Sequence, residues 1–144
     1  MAKSRHKARE LALQGLYQWL VGGNAVADIL SHLQEAEDFA QADEAYLTTL
    51  LAGVTAQQAS LDALLVPKLD RDIARLSPIE HAILLMGAYE AQHCPEVPYR
   101  VVIDEAVELA KRYGGTDGHK YVNGVLDKLV AELRPAEVAR ARGS

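Results

Sequence analysis

The stretch YRVVIDEAVELAKRYGG, residues 99–115, decides the fold class. Its opening run Val101, Val102, Ile103 is β-branched and by itself would read as a strand. The continuation does not alternate. Val102, Ala106, Leu109, Ala110 and Tyr113 recur at the spacing that brings side chains to one face of a helix. Pro98 precedes the segment and Gly114–Gly115 closes it, as expected at the two ends of a helix. A helix here leaves no convincing strand anywhere in the chain.

The same period governs the segments on either side. Upstream, SPIE at 77–80 is a helix start, with Ser77 as N-cap, Pro78 as first helical residue and Glu80 in position for a reciprocal cap. Ile79, Ala82, Ile83 and Met86 follow as an inward stripe, ended by CPEVP at 94–98. Downstream, Val122, Val125, Leu126, Leu129 and Leu133 mark a last helix before Pro135. In the N-terminal half, Ala8, Ala12, Leu16, Trp19 and Leu20 share a stripe that GGN at 22–24 breaks, with Asn24 as the expected next cap. Val26, Ile29, Leu30 and Leu33 form a short amphipathic helix. Asp43 caps a long one carrying Leu47, Leu50, Leu51, Val54, Leu61 and Leu65 towards Pro67. Ile73 and Leu76 mark a short turn. The expectation is an all-α fold of about seven helices in two packed three-helix-type sub-bundles. Residues 1–144 form a single domain with halves of about 1–70 and 71–134, softly divided near 67–76, and 135–144 trail as a tail.

Composition narrows the class. With 49% apolar residues in 144, a sizeable core is available. No apolar run reaches the roughly 18 residues of a membrane span, and the basic start lacks the features of a secretory signal. The single cysteine, Cys94, excludes an internal disulfide and fits a cytoplasmic protein. Histidines 6, 32, 81, 93 and 119 lack metal-ligand spacing, and no HExxH or phosphate-loop motif occurs. His93 beside Cys94 lies before a proline in a loop, a poor setting for a nucleophile pair. No cofactor and no enzymatic activity are expected.

Charge is distributed unevenly. The chain carries a net charge of −5, yet Lys3, Arg5, Lys7 and Arg9 crowd the start, with His6 among them. Cations at the positive end of a helix have the wrong sign for stability, so the cluster is either a solvated terminus or a polyanion contact. Helical angles put Arg5 and Arg9 on the apolar side. The helix is therefore expected to be buried from about Ala12 onward, with its first turns protruding and both arginines exposed. Residues 24–44 carry six acids and no Lys or Arg, which points to an acidic face apart from the basic one. In 114–128, Lys120, Asn123, Gly124 and Asp127 share the face opposite the apolar stripe. A glycine in an exposed helix interior costs about 1 kcal/mol relative to alanine. Gly124 is thus either tolerated or a point of close approach. Tyr121 is either core or a stacking platform.

ARELALQGLYQW at 8–19, LLAGV at 50–54, VPYRVVIDEAVELAKRYG at 97–114 and DGHKYVNGVLDKL at 117–129 resemble the bacterial NusB transcription antitermination family across nearly the whole chain. The resemblance implies a non-enzymatic, all-helical adaptor. Such an adaptor pairs with the ribosomal protein NusE, binds boxA-type single-stranded RNA of rRNA operons, and joins other Nus factors on RNA polymerase. It implies RNA contacts at Lys3, Arg5, His6, Lys7 and Arg9, and again at Asp117, Lys120, Tyr121 and Asn123, with Asp117 tempering affinity. Tyr17 and the helix from Pro78, including Glu80, are implied on the NusE side. Two other readings stand beside it. One is a helical protein–protein adaptor without specific RNA binding. The other is an RNA-binding module like the N-terminal domain of rRNA cytosine methyltransferases, although 144 residues leave no room for a catalytic domain.

Overall fold

The computed structural model describes residues 3–143. Eight α-helices account for most of them: α1 Arg5–Gly22, α2 Val26–Leu33, α3 Glu44–Ala56, α4 Gln58–Leu65, α5 Pro78–His93, α6 Tyr99–Tyr113, α7 Gly118–Leu133 and α8 Pro135–Gly143. Short 3₁₀ turns occupy Phe39–Gln41, Val66–Lys68 and Ile73–Arg75. Among the described residues there is no strand, only an isolated parallel bridge between Ser4 and Ala42. The fold is all-α, as the 99–115 segment required.

The chain forms two compact units, Met1–Gln58 and Ala59–Ser144. This division lies upstream of the 67–76 segment and coincides with a break that the apolar spacing concealed. The long helix expected from Asp43 to Pro67 is two helices. Gln57 leaves helical geometry at φ −120°, ψ 21°, and its N–H is shared between the Gly53 and Val54 carbonyls. The stripe survives the break, since Leu47, Leu50, Leu51, Val54, Leu61 and Leu65 are all fully buried.

In the first unit α1 packs on α2 and α3. Burial on α1 begins at Ala8, four residues earlier than expected, and is unbroken through Leu13. Gly15 sits where α1 meets its neighbours: a Cβ there would lie 2.9 Å from Ile29 and 3.2 Å from both Leu33 and Leu51. Gly23, at φ 67°, ends α1 by donating its N–H to the Trp19 carbonyl. Asn24 does not cap α2. Ala25 holds that position without a side-chain bond, and the Asn24 amide folds back over Gly22. Asp43 does cap α3, accepting from the Tyr46 N–H at 3.0 Å.

In the second unit α5, α6 and α7 pack on one another. The single stripe read on α5 understates its burial, because Ala82 through Ala88 are buried on every side, as befits a central helix. Gly87 permits the approach, with Leu126 of α7 2.9 Å from where its Cβ would stand. Tyr113, read as part of the α6 stripe, is exposed. Ser77 caps α5 as expected, accepting from the Glu80 N–H at 3.2 Å.

Residues 135–143 are not a loose tail but form α8, and the reason is Arg134. Its guanidinium, almost wholly buried, donates to the carbonyls of Ala91 (3.0 Å), Glu90 (3.1 Å), Cys94 (2.9 Å) and Val97. They lie at the end of α5 and in the turn that follows it, where the Glu90 and Cys94 carbonyls also accept from the Cys94 and Val97 N–H groups. Arg134 also pairs with Glu137 at 3.1 Å, and Glu137 accepts the N–H of Tyr99 at 2.7 Å. That carboxylate caps α6, whose own cap residue, Pro98, offers no side-chain acceptor. Val138 is buried beside this network.

Replacing Arg134 with Ala would leave the Ala91 and Val97 carbonyls without this donor. It is expected to destabilise the protein by about 2–5 kcal/mol, at about 1–3 kcal/mol for each acceptor left unmatched, measured by urea unfolding. Glu137 carries a pH signature as well. The Tyr99 N–H first, and then Arg134, hold its carboxyl below the ordinary value of 4.5. Its stabilisation is complete above the unfolded value of 4.5 and is lost as pH falls through the lower folded value. Glu137→Gln should therefore lower stability at neutral pH and flatten the acid side of the stability–pH curve.

Candidate nucleic-acid interface

The basic start is locked in place by Ser4. Its hydroxyl accepts from the Lys7 N–H at 2.9 Å and caps α1. Its backbone N–H donates to the Gln41 carbonyl at 2.9 Å, and its carbonyl accepts from Asp43 at 3.0 Å. These bonds draw the acidic segment onto the basic one. Lys7 Nζ lies 3.0 Å from Asp38 and 3.1 Å from Glu10. Hydrogen bonding to Asp38, then to Glu10, raises the Lys7 ammonium above its usual value. Lys3 Nζ donates to the Ala40 carbonyl, and Arg5 approaches Asp43 at 4.0 Å. The separate acidic and basic faces expected from the charge pattern are therefore not what forms: Asp38 and Asp43 lie against the cations.

Both arginines were expected to protrude. Arg5 does remain exposed, its guanidinium 4.2 Å above the Tyr46 ring. Arg9 does not. It is 4% exposed, and its guanidinium lies 5.3 Å from the same ring. A helical angle on the apolar side meant burial rather than overhang, and Tyr46 is the aromatic surface that makes it tolerable. His6 is exposed, with Glu10 3.7 Å away. Farther along α1, Tyr17 is 40% exposed.

The second group stands at the start of α7. Asp117 precedes the helix at φ 63°, the only non-glycine residue with positive φ among those described. Its side chain makes no cap bond and instead faces Lys120 at 3.4 Å, both groups being exposed. Gly118 is buried beneath Glu80, whose Oε2 would lie 2.4 Å from any Cβ built there. Glu80 is thus a carboxylate set at the positive end of α7, a favourable arrangement with the helix dipole. That is a different post from the reciprocal cap on Ser77 that SPIE suggested. Asn123 is exposed.

Tyr121 is half-buried, and the Arg71 guanidinium lies 4.1 Å over its ring. Its buried hydroxyl makes no well-formed hydrogen bond. Burial, then the nearby Asp70 carboxylate, push the phenol up. Asp70 in turn is held low by its 2.9 Å bond to Arg71. Arg71, Tyr46 and Asp38 were invisible as site residues. Nothing in local spacing connects Arg71 to Tyr121 or Asp38 to Lys7, since both contacts arise from chain reversal. Among the described residues no group of three or more His, Cys, Asp or Glu could hold a metal, and no helix is long and apolar enough to cross a membrane.

Comparison with known proteins shows the family. The NusB family pattern matches residues 6–131. The transcription antitermination protein NusB of Thiobacillus denitrificans is 56% identical over 142 residues, covering 99% of this chain and 98% of that one. The protein of the same name from Nitrosospira multiformis is 58% identical over 130 residues, covering 90% and 82%. Among solved structures, T. maritima NusB superposes with a TM-score of 0.82 at 27% identity, over 96% of this chain and 99% of that one. The family pattern spans most of α1 through most of α7, and the chain belongs to the NusB family.

Proposed function

We propose that this chain is an RNA-binding adaptor in transcription antitermination. Together with NusE it binds boxA-type single-stranded RNA of ribosomal operons and joins RNA polymerase and other Nus factors. The observation that carries this reading is the match to the family over residues 6–131, with relatives named transcription antitermination proteins at more than half identity. The local physics agrees with it. Lys3, Arg5 and His6 are exposed cationic or titratable groups at a helix N-terminus, where they gain nothing from the dipole.

The mechanism rests on exchange of partners. Exposed ion pairs are worth about 0–1 kcal/mol, so RNA phosphates can replace Asp43 at Arg5 and Asp117 at Lys120. Counterion release then drives binding and makes it salt-dependent. Arg9 supports the site from within by holding the Tyr46 ring on which Arg5 rests, and Lys7 ties the start to Asp38. Asn123 offers an amide to base edges, and Tyr121 offers the ring face that Arg71 leaves open. Asp117 tempers affinity by occupying Lys120. Tyr17 and the exposed part of Glu80 are assigned to the NusE side. The internal engagement of Lys7 and Arg9 favours a second reading, a protein adaptor without specific RNA binding. RNA titration separates the two.

Lys3→Glu combined with Arg5→Glu should weaken binding to a boxA-type oligonucleotide by at least about tenfold and lower the salt dependence by roughly two phosphate contacts. NusE affinity should stay within a few-fold. Retained RNA affinity would leave the protein-adaptor reading. Asp117→Asn should tighten RNA binding several-fold in fluorescence anisotropy, because it frees Lys120 while asparagine tolerates the positive φ. An unchanged or weaker affinity would end the tempering role.

A further inference from the structure

Gly124 stands in the middle of α7, where a glycine weakens a helix relative to alanine. Nothing in the fold requires it. No atom lies within 4 Å of where its Cβ would be, and it is not among the residues with positive φ. Gly15, Gly87 and Gly118 each make room for a neighbouring side chain, and Gly124 makes room for open space.

That space is the floor of an open groove of about 160 Å³, lined by Lys68, Asp70, Tyr121, Gly124, Val125 and Lys128, with Lys120 at its edge. This is several times the roughly 30 Å³ that one water occupies in the liquid. Lys120, Gly124 and Lys128 follow one another at four-residue spacing, so two lysines flank the bare backbone along one line of the helix. Lys68 closes the side, with its ammonium on Glu132 at 2.8 Å. Lys68 and Lys120 thus hold carboxylates in partly exposed pairs that a phosphate can displace. The Asp70 carboxylate is taken up by Arg71. The only aliphatic side chain in the lining, Val125, is itself buried.

We infer that this groove receives the sugar–phosphate backbone of the bound single-stranded RNA, which passes against the bare α7 surface at Gly124 between Lys120, Lys128 and Lys68. The inference rests on the RNA reading above and adds a contact away from the exposed Asn123 side chain. Its occupant follows from charge: the ammonium groups of Lys68, Lys120 and Lys128 surround bare helix backbone at Gly124, which suits a polyanion. The missing side chain is what lets the backbone come close.

The test uses the full chain with NusE and a boxA-type oligonucleotide. Gly124→Ala should raise Tm by roughly 2–4 °C, as expected for a better helix former, while weakening RNA binding a few-fold. Gly124→Leu should weaken RNA binding by at least tenfold with helicity unchanged. Lys128→Ala should lower the salt dependence by about one phosphate contact. Stability gained while RNA affinity is held overturns the inference. So does loss of NusE affinity with RNA affinity intact, which would make the groove a protein surface. The two readings fail separately. Wild-type protein that binds RNA in a Lys3- and Arg5-dependent way while Gly124→Leu binds equally well sinks only the groove. Wild-type protein with no RNA affinity sinks both.

Discussion

A helix end that is buried must find partners for its last carbonyls and first N–H groups, and between α5 and α6 Arg134 and Glu137 serve both ends. Arg134 reaches four carbonyls at the end of α5 and in the loop after it, and it orients Glu137 onto the first N–H of α6. The turn between α5 and α6 can therefore be short. The fork of the guanidinium matters here, because an ammonium is a point charge and cannot address divergent acceptors in a plane. The orientation of α6 fixes the wall against which α7 packs, and α7 carries Lys120, Tyr121 and Asn123, with Asp117 just before it. A residue outside the candidate interface thus holds the platform on which that interface is displayed.

The first unit solves a different problem. Its α1 begins with cations where the helix dipole disfavours them. Ser4 caps the helix and pairs with the backbone around Gln41–Asp43, bringing Asp38 and Asp43 to the cations. The charges are balanced at home, yet most of these pairs remain at the surface, where solvent keeps them exchangeable. Arg9 is the exception, buried against Tyr46. The same cluster therefore contains members that hold the fold and members that stay available. Sequence position alone does not separate them.

The glycines sort by the same reasoning. Gly15 and Gly87 permit close approach between helices, Gly118 accommodates a carboxylate, and Gly23 adopts a left-handed turn. Each is explained by something already in the molecule. Gly124 meets no neighbour in the molecule, and the lysines around it carry the sign that an RNA strand would meet.

Much of the architecture was legible in the sequence because apolar periodicity is a local property. The helical reading of 99–115, the Ser77 and Asp43 caps and the inner leucines of α3 and α4 all follow from spacing and side-chain chemistry within a few residues. Periodicity could not register the break at Gln57, since the two helices keep their apolar residues in phase across it. The charge at the chain start was equally plain, and the ordered blocks at 97–114 and 117–129 were enough to place the family. Only tertiary structure decided which charges are spent internally. Lys7 meets Asp38 across 31 positions, and Arg134 meets Glu90 across 44. A charged side chain is defined by the group that approaches it, and contacts at that separation are set by how the helices pack, not by the residues beside them in the chain.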